Sequence, residues 1–507
     1  RRIDVNIFEI SFRDQSVRVD LNLAHHRQYE SPYPLSYHKV ERGYFSVIHS
    51  GEGDGWDINR PTMSSIICFQ GKLFLVDAGP NLPTILNALG ISVSEIEGIF
   101  HTHSHDDHFA GLPTLMQTDH RIRYFATPLV RAAVTKKLTA MLGFEEREFD
   151  HYFDVHDLDF DVWNKIDGME VLPVFSPHPV ETTCFYFRAM GPEGYKTYGH
   201  MADIASFGVL ESMVTEDETA PGISEARLTR TKSEYHVPTN VKKIDIGGGL
   251  IHGTALDFKD DPSEKIILAH TEREHTPEEK AIGSGAPFGT VDVLIEGYQN
   301  YAWRFAYGYL QTYFDNASHD QLQLLLNNPV KTYNPESIIA REGAQYEHVH
   351  LILNGNVEWL SSEAQISGIL SAGAFIGERS VLTERPALFT VRAASFVSAL
   401  RIPAKLYADF VKSNDFFDTF MELGDIVNFL QRTWLLGEVI SQPVQHRIAK
   451  HLSMAHIKES ELFTVEPGGL FIVRSGRVER EITKDRTIDI GVGEFFNEEN
   501  VLFDAAI

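Results

Sequence analysis

Eight consecutive residues, His101-Thr102-His103-Ser104-His105-Asp106-Asp107-His108, carry four imidazoles and two carboxylates. These are the usual protein ligands of zinc, iron and manganese. They crowd directly behind the short apolar run Gly98-Ile99-Phe100, which implies a turn gathering them at the end of a buried strand. The chemistry such a turn supports is metal-assisted hydrolysis. A bound cation lowers the pKa of water and polarises an oxygen of the substrate. Only Asp107 is followed directly by a histidine after an H-x-H, so the register is His103-x-His105-x-Asp107-His108.

The surrounding elements must position this turn. Phe74-Leu75-Val76 reads as a buried strand ending in Asp77-Ala78-Gly79-Pro80, and Asn81 to Leu89 as an amphipathic helix stopped at Gly90. Strands alternate with helices to about residue 300, which implies sheets covered by helices. From about 212 to 243 the pattern dissolves into Thr, Ser, Pro and charge. That stretch reads as a long insertion, and its Arg227, Arg230, Lys232, Lys242 and Lys243 make it the most basic part of the chain.

Composition narrows the function classes. With 45 Lys and Arg against 71 Asp and Glu, the 507-residue chain has a net charge of −26. That balance disfavours nucleic acid as a general partner, because such binding draws on Lys and Arg. Only Cys68 and Cys184 are present, so a disulfide framework is excluded and a reducing, cytoplasmic setting is expected. No apolar run reaches about 18 residues, and no membrane span is expected.

At the histidine register the chain resembles the metallo-β-lactamase-fold hydrolases, whose H-x-H-x-D-H motif binds two metals. The following Phe109-Ala110-Gly111-Leu112-Pro113 is most similar to the phosphodiesterase branch, which includes tRNA 3′-processing endonucleases and class II cyclic-nucleotide phosphodiesterases. Asp77 matches the carboxylate that orients the histidine loop in that family. The resemblance carries three further ligands onto this sequence. His178, in Phe175-Ser176-Pro177-His178-Pro179, stands as the third-motif histidine. Asp203 stands as the bridging aspartate, with Ala202 in place of the usual Gly and an extra His200 nearby. His270, ending Lys265 to Ala269, stands as the last ligand.

The resemblance implies that His103, His105 and His178 hold one divalent metal ion and Asp107, His108 and His270 a second, with Asp203 bridging. Zinc is the first expectation, with manganese or iron as alternatives. Asp107 and His252 are the expected catalytic groups, His252 as proton donor to the leaving oxygen, with His236 the second candidate. Histidine at 105, where an oxygen-binding diiron branch has Glu, favours hydrolysis over redox chemistry.

Residues 333 to 412 are similar to a cyclic-nucleotide-binding domain. The carrying stretches are Ser337 to Gly343, His350 to Glu358, and Phe375-Ile376-Gly377-Glu378-Arg379-Ser380. Asn354-Gly355-Asn356 between two apolar runs predicts a hairpin. In that family an Arg directly after the Pro of this segment pairs with the cyclic phosphate; here that position is Ala387, and Phe389 adds bulk. Arg385 and Arg392 are the candidate substitutes. Gly469 to Glu479 repeats the same strand–turn–strand grammar, with Asn497-Glu498 where Gly-Glu belongs.

The expected fold class is α+β and multidomain: an αβ/βα metallo-β-lactamase sandwich, then two β-rolls joined by helices. The expected boundaries are 1–300 for the hydrolase, 301–412 for the first β-roll, and 413–507 for a helical linker and a second, incomplete roll. The leading functional expectation is a dinuclear phosphodiesterase acting on a small phosphodiester such as a cyclic nucleotide. The β-rolls would serve regulation, or homodimer formation together with the helices. The alternatives are an RNA-processing endonuclease using residues 227–243 as its arm, and a non-enzymatic metal-bound sensor or scaffold.

Overall fold

The computed structural model describes the chain except residues 5, 24–29, 218, 250, 300–302, 362–364, 438–439, 460, 463–468, 484–485 and 498–507. It divides into two compact units, Arg1–Ala302 and Trp303–Ile507.

The first unit is built on two sheets. One has seven strands in the order Val291–Ile295, Phe45–Gly51, Ser64–Phe69, Lys72–Val76, Ile96–Phe100, Ile122–Ala126 and Phe153–Asp157. The other has six, in sequence order from Asn164–Ile166 through Met169–Ser176, Thr182–Gly191, Gly194–Met201 and Val241–Asp245 to Ile266–Ala269. Phe45, Val47, Phe74, Phe100, Phe185 and Phe187 are among the residues of the core shared by both sheets. Each outer face carries its own apolar layer. On the first sheet it includes Leu82, Ile85 and Leu86 of helix Leu82–Ala88 and Val130, Val134 and Leu138 of helix Pro128–Leu142. On the second it includes Tyr186, Ile244, Leu268 and Phe258. This is an αβ/βα sandwich.

Local chemistry explains the helix limits. Pro128 occupies the first helical position, where its missing N–H costs nothing, and Gly143 closes the helix at φ 84°. The expected helix after Asn81 is present, with Gly90 beyond it at φ 67°.

The stretch read as a basic insertion is differently built. It contains the helix Glu225–Tyr235 and the start of the strand Val241–Asp245. Lys242 and Lys243 are fully buried strand residues rather than an exposed arm. Lys242 pairs with Asp261, and Lys243 donates to the carbonyls of Gly51 and Ser64 at 2.5 and 2.7 Å. Arg230 pairs with Asp161 and Glu234, Lys232 with Glu211, and Arg227 lies over the Phe175 ring. Charge count alone could not show that these cations were already engaged.

The second unit holds a β-roll of two four-stranded sheets. One runs Val330–Tyr333, Val397–Pro403, His348–Asn354, Phe375–Ile376, and the other Ile338–Ala340, Thr390–Ala393, Val357–Ser361, Ile366–Leu370. Asn354-Gly355-Asn356 does not close a hairpin, because the strands on either side of it belong to opposite sheets. The Asn356 backbone is instead tied to the 394–395 turn, its N–H donating to Ser395 Oγ at 2.9 Å and its carbonyl accepting from Ala394 N at 2.9 Å. Helices Trp303–Tyr313, His319–Leu326 and Ala404–Ser413 pack Leu310, Leu322 and Phe410 against Val349, Leu351 and Leu400 of the roll. Helix Phe417–Leu430 follows, then Gln442–His451. Strands Phe471–Ile472, Val478–Thr483, Arg486–Ile490 and Phe495–Phe496 form two small ladders, and Glu498 lies outside the described residues.

Candidate metal centre

Every site residue leaves the C-terminal end of a strand along one edge of the sandwich. Asp77 follows Lys72–Val76, the histidine turn follows Ile96–Phe100, and His178 follows Met169–Ser176. Asp203 follows Gly194–Met201, Asp245 ends Val241–Asp245, and His270 follows Ile266–Ala269. Neighbouring backbones fasten these ends: Asp77 N donates to Phe100 O, His101 N to Phe125 O, and Thr183 N to Thr102 O. Gly79 is required by close approach, since a Cβ there would lie 2.0 Å from Thr62 Oγ1 and 2.4 Å from Asp107 O.

Asp203 is the centre of the arrangement. Its Oδ2 faces His103 Nε2 at 3.4 Å, His178 Nε2 at 3.5 Å and His105 Nδ1 at 3.7 Å. Its Oδ1 faces His108 Nε2 at 3.1 Å and His270 Nε2 at 3.3 Å, and both imidazoles also lie 3.2 Å from Asp107 Oδ2. The structure therefore brings all seven expected ligands into two adjoining groups that share one carboxylate.

The donor set fits divalent cations. Among the described residues, His103 Nε2, His108 Nε2, His178 Nε2 and Asp203 Oδ1 are buried and have no hydrogen-bond partner. Orphaned polar atoms of this kind are costly unless something satisfies them, and here they converge on common points. The opposite ring nitrogens are held: His103 Nδ1 lies 2.9 Å from Thr102 Oγ1, His108 Nδ1 2.7 Å from Asp77 Oδ2, and His178 Nδ1 3.0 Å from Ile251 O. Such partners fix the tautomer that turns Nε2 toward a metal. Asp77 also accepts from Thr102 N at 2.8 Å and Thr102 Oγ1 at 2.7 Å, so one carboxylate braces two arms of the cluster.

The electrostatics differ between the two groups. Burial alone would lower His108 and His270, but the neighbouring carboxylates outweigh it and hold both well above the ordinary imidazole value. In the other group burial pushes His178 down to about 4 and His103 also below its ordinary value, leaving neutral imidazoles of the kind metals require. Burial alone would raise the Asp203 pKa, but the His270, His103 and His108 imidazoles outweigh it and hold the carboxylate ionised.

One residue of the site has no counterpart among the sequence expectations. Asp245, fully buried, accepts from Gly247 N at 2.8 Å and Ile204 N at 3.1 Å, and its oxygens lie 3.0 Å from His252 Nδ1 and 3.3 Å from His270 Nδ1. The only sequence signal was a carboxylate closing the run Val241-Lys242-Lys243-Ile244 just before Gly247-Gly248-Gly249. His252 Nδ1 stands 3.9 Å from Asp203 Oδ2, at the margin of the cluster. His236 is elsewhere: it packs on Phe207 and Phe258 and bonds the Asp257 carbonyl at 2.8 Å. His101 and His200 are fully buried outside the ligand groups, His101 beside Phe109 and Tyr124, and His200 bonded to Tyr198 at 3.0 Å.

In the first β-roll, the Trp359 and Phe389 rings meet at a tilt of 52° with centroids 4.8 Å apart, and the Tyr346 ring fills the space beside Gly377, which sits at φ 87°. Arg392 is engaged by Glu336 and Glu358, and Arg385 is exposed to solvent. Neither stands in for the missing cassette arginine at Ala387.

Parts of the chain are similar to known proteins. Residues 45–198 match the family described as Anti-Pycsar protein Apyc1, and residues 330–414 the cyclic nucleotide-binding domain. Ribonuclease Z of Clostridium kluyveri is 38% identical over 60 residues, 12% of this chain and 20% of that protein. The cAMP/cGMP-dependent 3′,5′-cAMP/cGMP phosphodiesterase B of Dictyostelium discoideum is 23% identical over 237 residues, 46% of this chain and 21% of that protein. The chain thus spans about a fifth of the length of these curated relatives. Among solved structures, the metallo-β-lactamase-fold protein YhfI from Bacillus subtilis has TM-score 0.38 at 14% identity, covering 50% of this chain and 99% of that one. Human tRNase Z, short form, has TM-score 0.35 at 14% identity, covering 49% and 99%. The first unit has the two-sheet αβ/βα architecture of the metallo-β-lactamase fold, with the histidine register at the ends of its strands. It is fused to a cyclic-nucleotide-binding-domain fold. No helix among the described residues is long and apolar enough to cross a membrane.

Proposed function

We propose that the first unit is a two-metal phosphodiesterase acting on a small phosphodiester, with a cyclic nucleotide as the leading substrate class. In this reading His103, His105 and His178 hold one cation, Asp107, His108 and His270 the other, and Asp203 spans both. The observation that carries it is the Asp203 carboxylate, whose two oxygens address two separate imidazole groups. Two divalent cations would supply activated water and neutralise charge on the phosphoryl oxygens.

The chain's own residues supply the rest. Asp77 and Thr102 hold the His103 and His108 rings in register. Burial disfavours a charged His252, but its bond to Asp245 outweighs this and raises the pKa, so the imidazole keeps a proton to donate. With Nδ1 engaged by Asp245, Nε2 is the nitrogen free to protonate a leaving oxygen. The acidity of the chain and the engagement of the 227–243 cations favour a small substrate over RNA. The similarity to the Dictyostelium cyclic-nucleotide phosphodiesterase points the same way. Residues 301–412 and 413–507 then serve as regulatory or oligomerising elements.

The test is hydrolysis of bis(p-nitrophenyl) phosphate and of 3′,5′-cyclic AMP and GMP by the metal-loaded chain. Turnover abolished by chelation and by Asp203→Ala is expected. Cleavage confined to RNA, or to thioesters and β-lactams, would contradict the substrate class.

A further inference from the structure

The interior of the first β-roll changes character along its length. Ile352, Ala399 and Val397 belong to an apolar core with Val357 and Val391. Continuing outward on the same face, the register pairs His350 with Arg401 and Lys331 with Ala399, while His348 and Tyr333 lie two residues along from His350 and Lys331. Side chains two apart on a strand share a face, as do directly paired residues. Lys331, Arg401, His348 and His350 therefore face the inside of the roll.

They line a cavity of about 360 Å³, to which Arg341 and Ala387 also contribute. Among its lining residues are three permanent cations, Lys331, Arg341 and Arg401, and one carboxylate, Glu347. In a chain of net charge −26 this is a marked local reversal. The polar groups with bonding partners here pair with one another rather than with a carboxylate. Among the described residues, Arg401 Nη2 reaches His348 Nδ1, at 3.2 Å. His350 is 6% exposed, with Nε2 3.0 Å from Tyr333 Oη and a buried Nδ1 that has no partner. Burial, then the charges of Arg401, His348 and Lys331, push His350 down to about 4, as expected where positive potential lacks a counter-ion. Edge protection by inward charge explains Lys331 at most, because the strands of Arg401 and His350 are interior to the sheet.

We propose that this end of the roll is a binding site for a small phosphate monoester, bordering the cassette at Ala387 and Tyr346 but charged by Lys331, Arg341 and Arg401 from outside it. Three cations against one carboxylate leave a surplus of two, which matches the charge of about −2 on a phosphate monoester near neutral pH. Arg341 and Arg401 would meet its oxygens by charge-assisted bonds, His350 would donate through Nδ1, and a cavity of this size admits an organic group beyond the phosphate.

Calorimetry on the full chain, treated with chelator so that the metal centre takes up no anion, tests this. The probes are inorganic phosphate and adenosine 5′-monophosphate, against chloride at matched ionic strength. Saturable binding of both is expected, weakened at least about fivefold by Arg401→Gln and by Lys331→Gln and largely retained by Arg401→Lys. Lys331 is exposed on an edge strand, so its variant keeps the test intact if Arg401→Gln fails to fold. No binding above the chloride control, or removal of either charge without loss of affinity, would overturn the proposal.

Discussion

His252 is held by Asp245: its Nδ1 lies 3.0 Å from the Oδ2 of a fully buried carboxylate. If His252 is the proton donor, its worth depends on how badly the leaving oxygen needs a proton. His252→Ala should slow cleavage of an alkyl or ribosyl ester by about 10²–10⁴-fold, yet slow release of p-nitrophenolate far less. Asp245→Asn should follow the same order with smaller losses. Equal losses for both leaving groups would assign His252 to binding or structure instead.

Asp77 supports the cluster from beneath through Thr102 and His108. Asp77→Asn should lower metal affinity about 10–100-fold while leaving much of the turnover under saturating metal. Competition against a chromophoric chelator measures the first, and initial rates at high metal the second.

The legible part of this molecule was the part written in consecutive residues. The His103 to His108 register declares itself because its ligands share one turn. His178, Asp203 and His270 are single residues in unremarkable loops, named only through family resemblance, and the structure draws them to within 4 Å of one another's partners. Asp245 gave almost no signal, since a lone strand-end carboxylate looks the same whether it faces solvent or two imidazoles. Lys242 and Lys243 misled for the opposite reason. Their charges suggested a surface arm, while strand pairing buries both. Asn354-Gly355 has hairpin chemistry, but each flanking strand finds its partners in a different sheet.

The first β-roll should not bind cyclic AMP or cyclic GMP in the cassette. Ala387 offers no cation, Arg392 is already paired, and Trp359 with Phe389 occupies space. Loss of the phosphate partner costs several kcal/mol, roughly a hundredfold or more in affinity. Calorimetry on the chelated full chain carrying Arg401→Gln should show no micromolar binding of either nucleotide.

Glu378 gives a pH signature. Burial pushes its carboxyl up to about 7 from an ordinary value of 4.5. Between those values the folded chain holds a proton that the unfolded chain releases, so this group's contribution to stability falls as pH rises through that window. Above pH 7 the penalty is complete. Glu378→Gln should therefore stabilise the second unit by about 3 kcal/mol at pH 8 and by little near pH 4. Denaturant titrations at the two pH values check the sign.

The measurement that bears most directly on the account is metal content per chain. After loading with excess zinc and removal of free ion, elemental analysis should give two ions per wild-type chain, falling to one or none in Asp203→Ala with the fold retained. At most one ion in the wild-type chain, or two ions with unchanged turnover in Asp203→Ala, would contradict it.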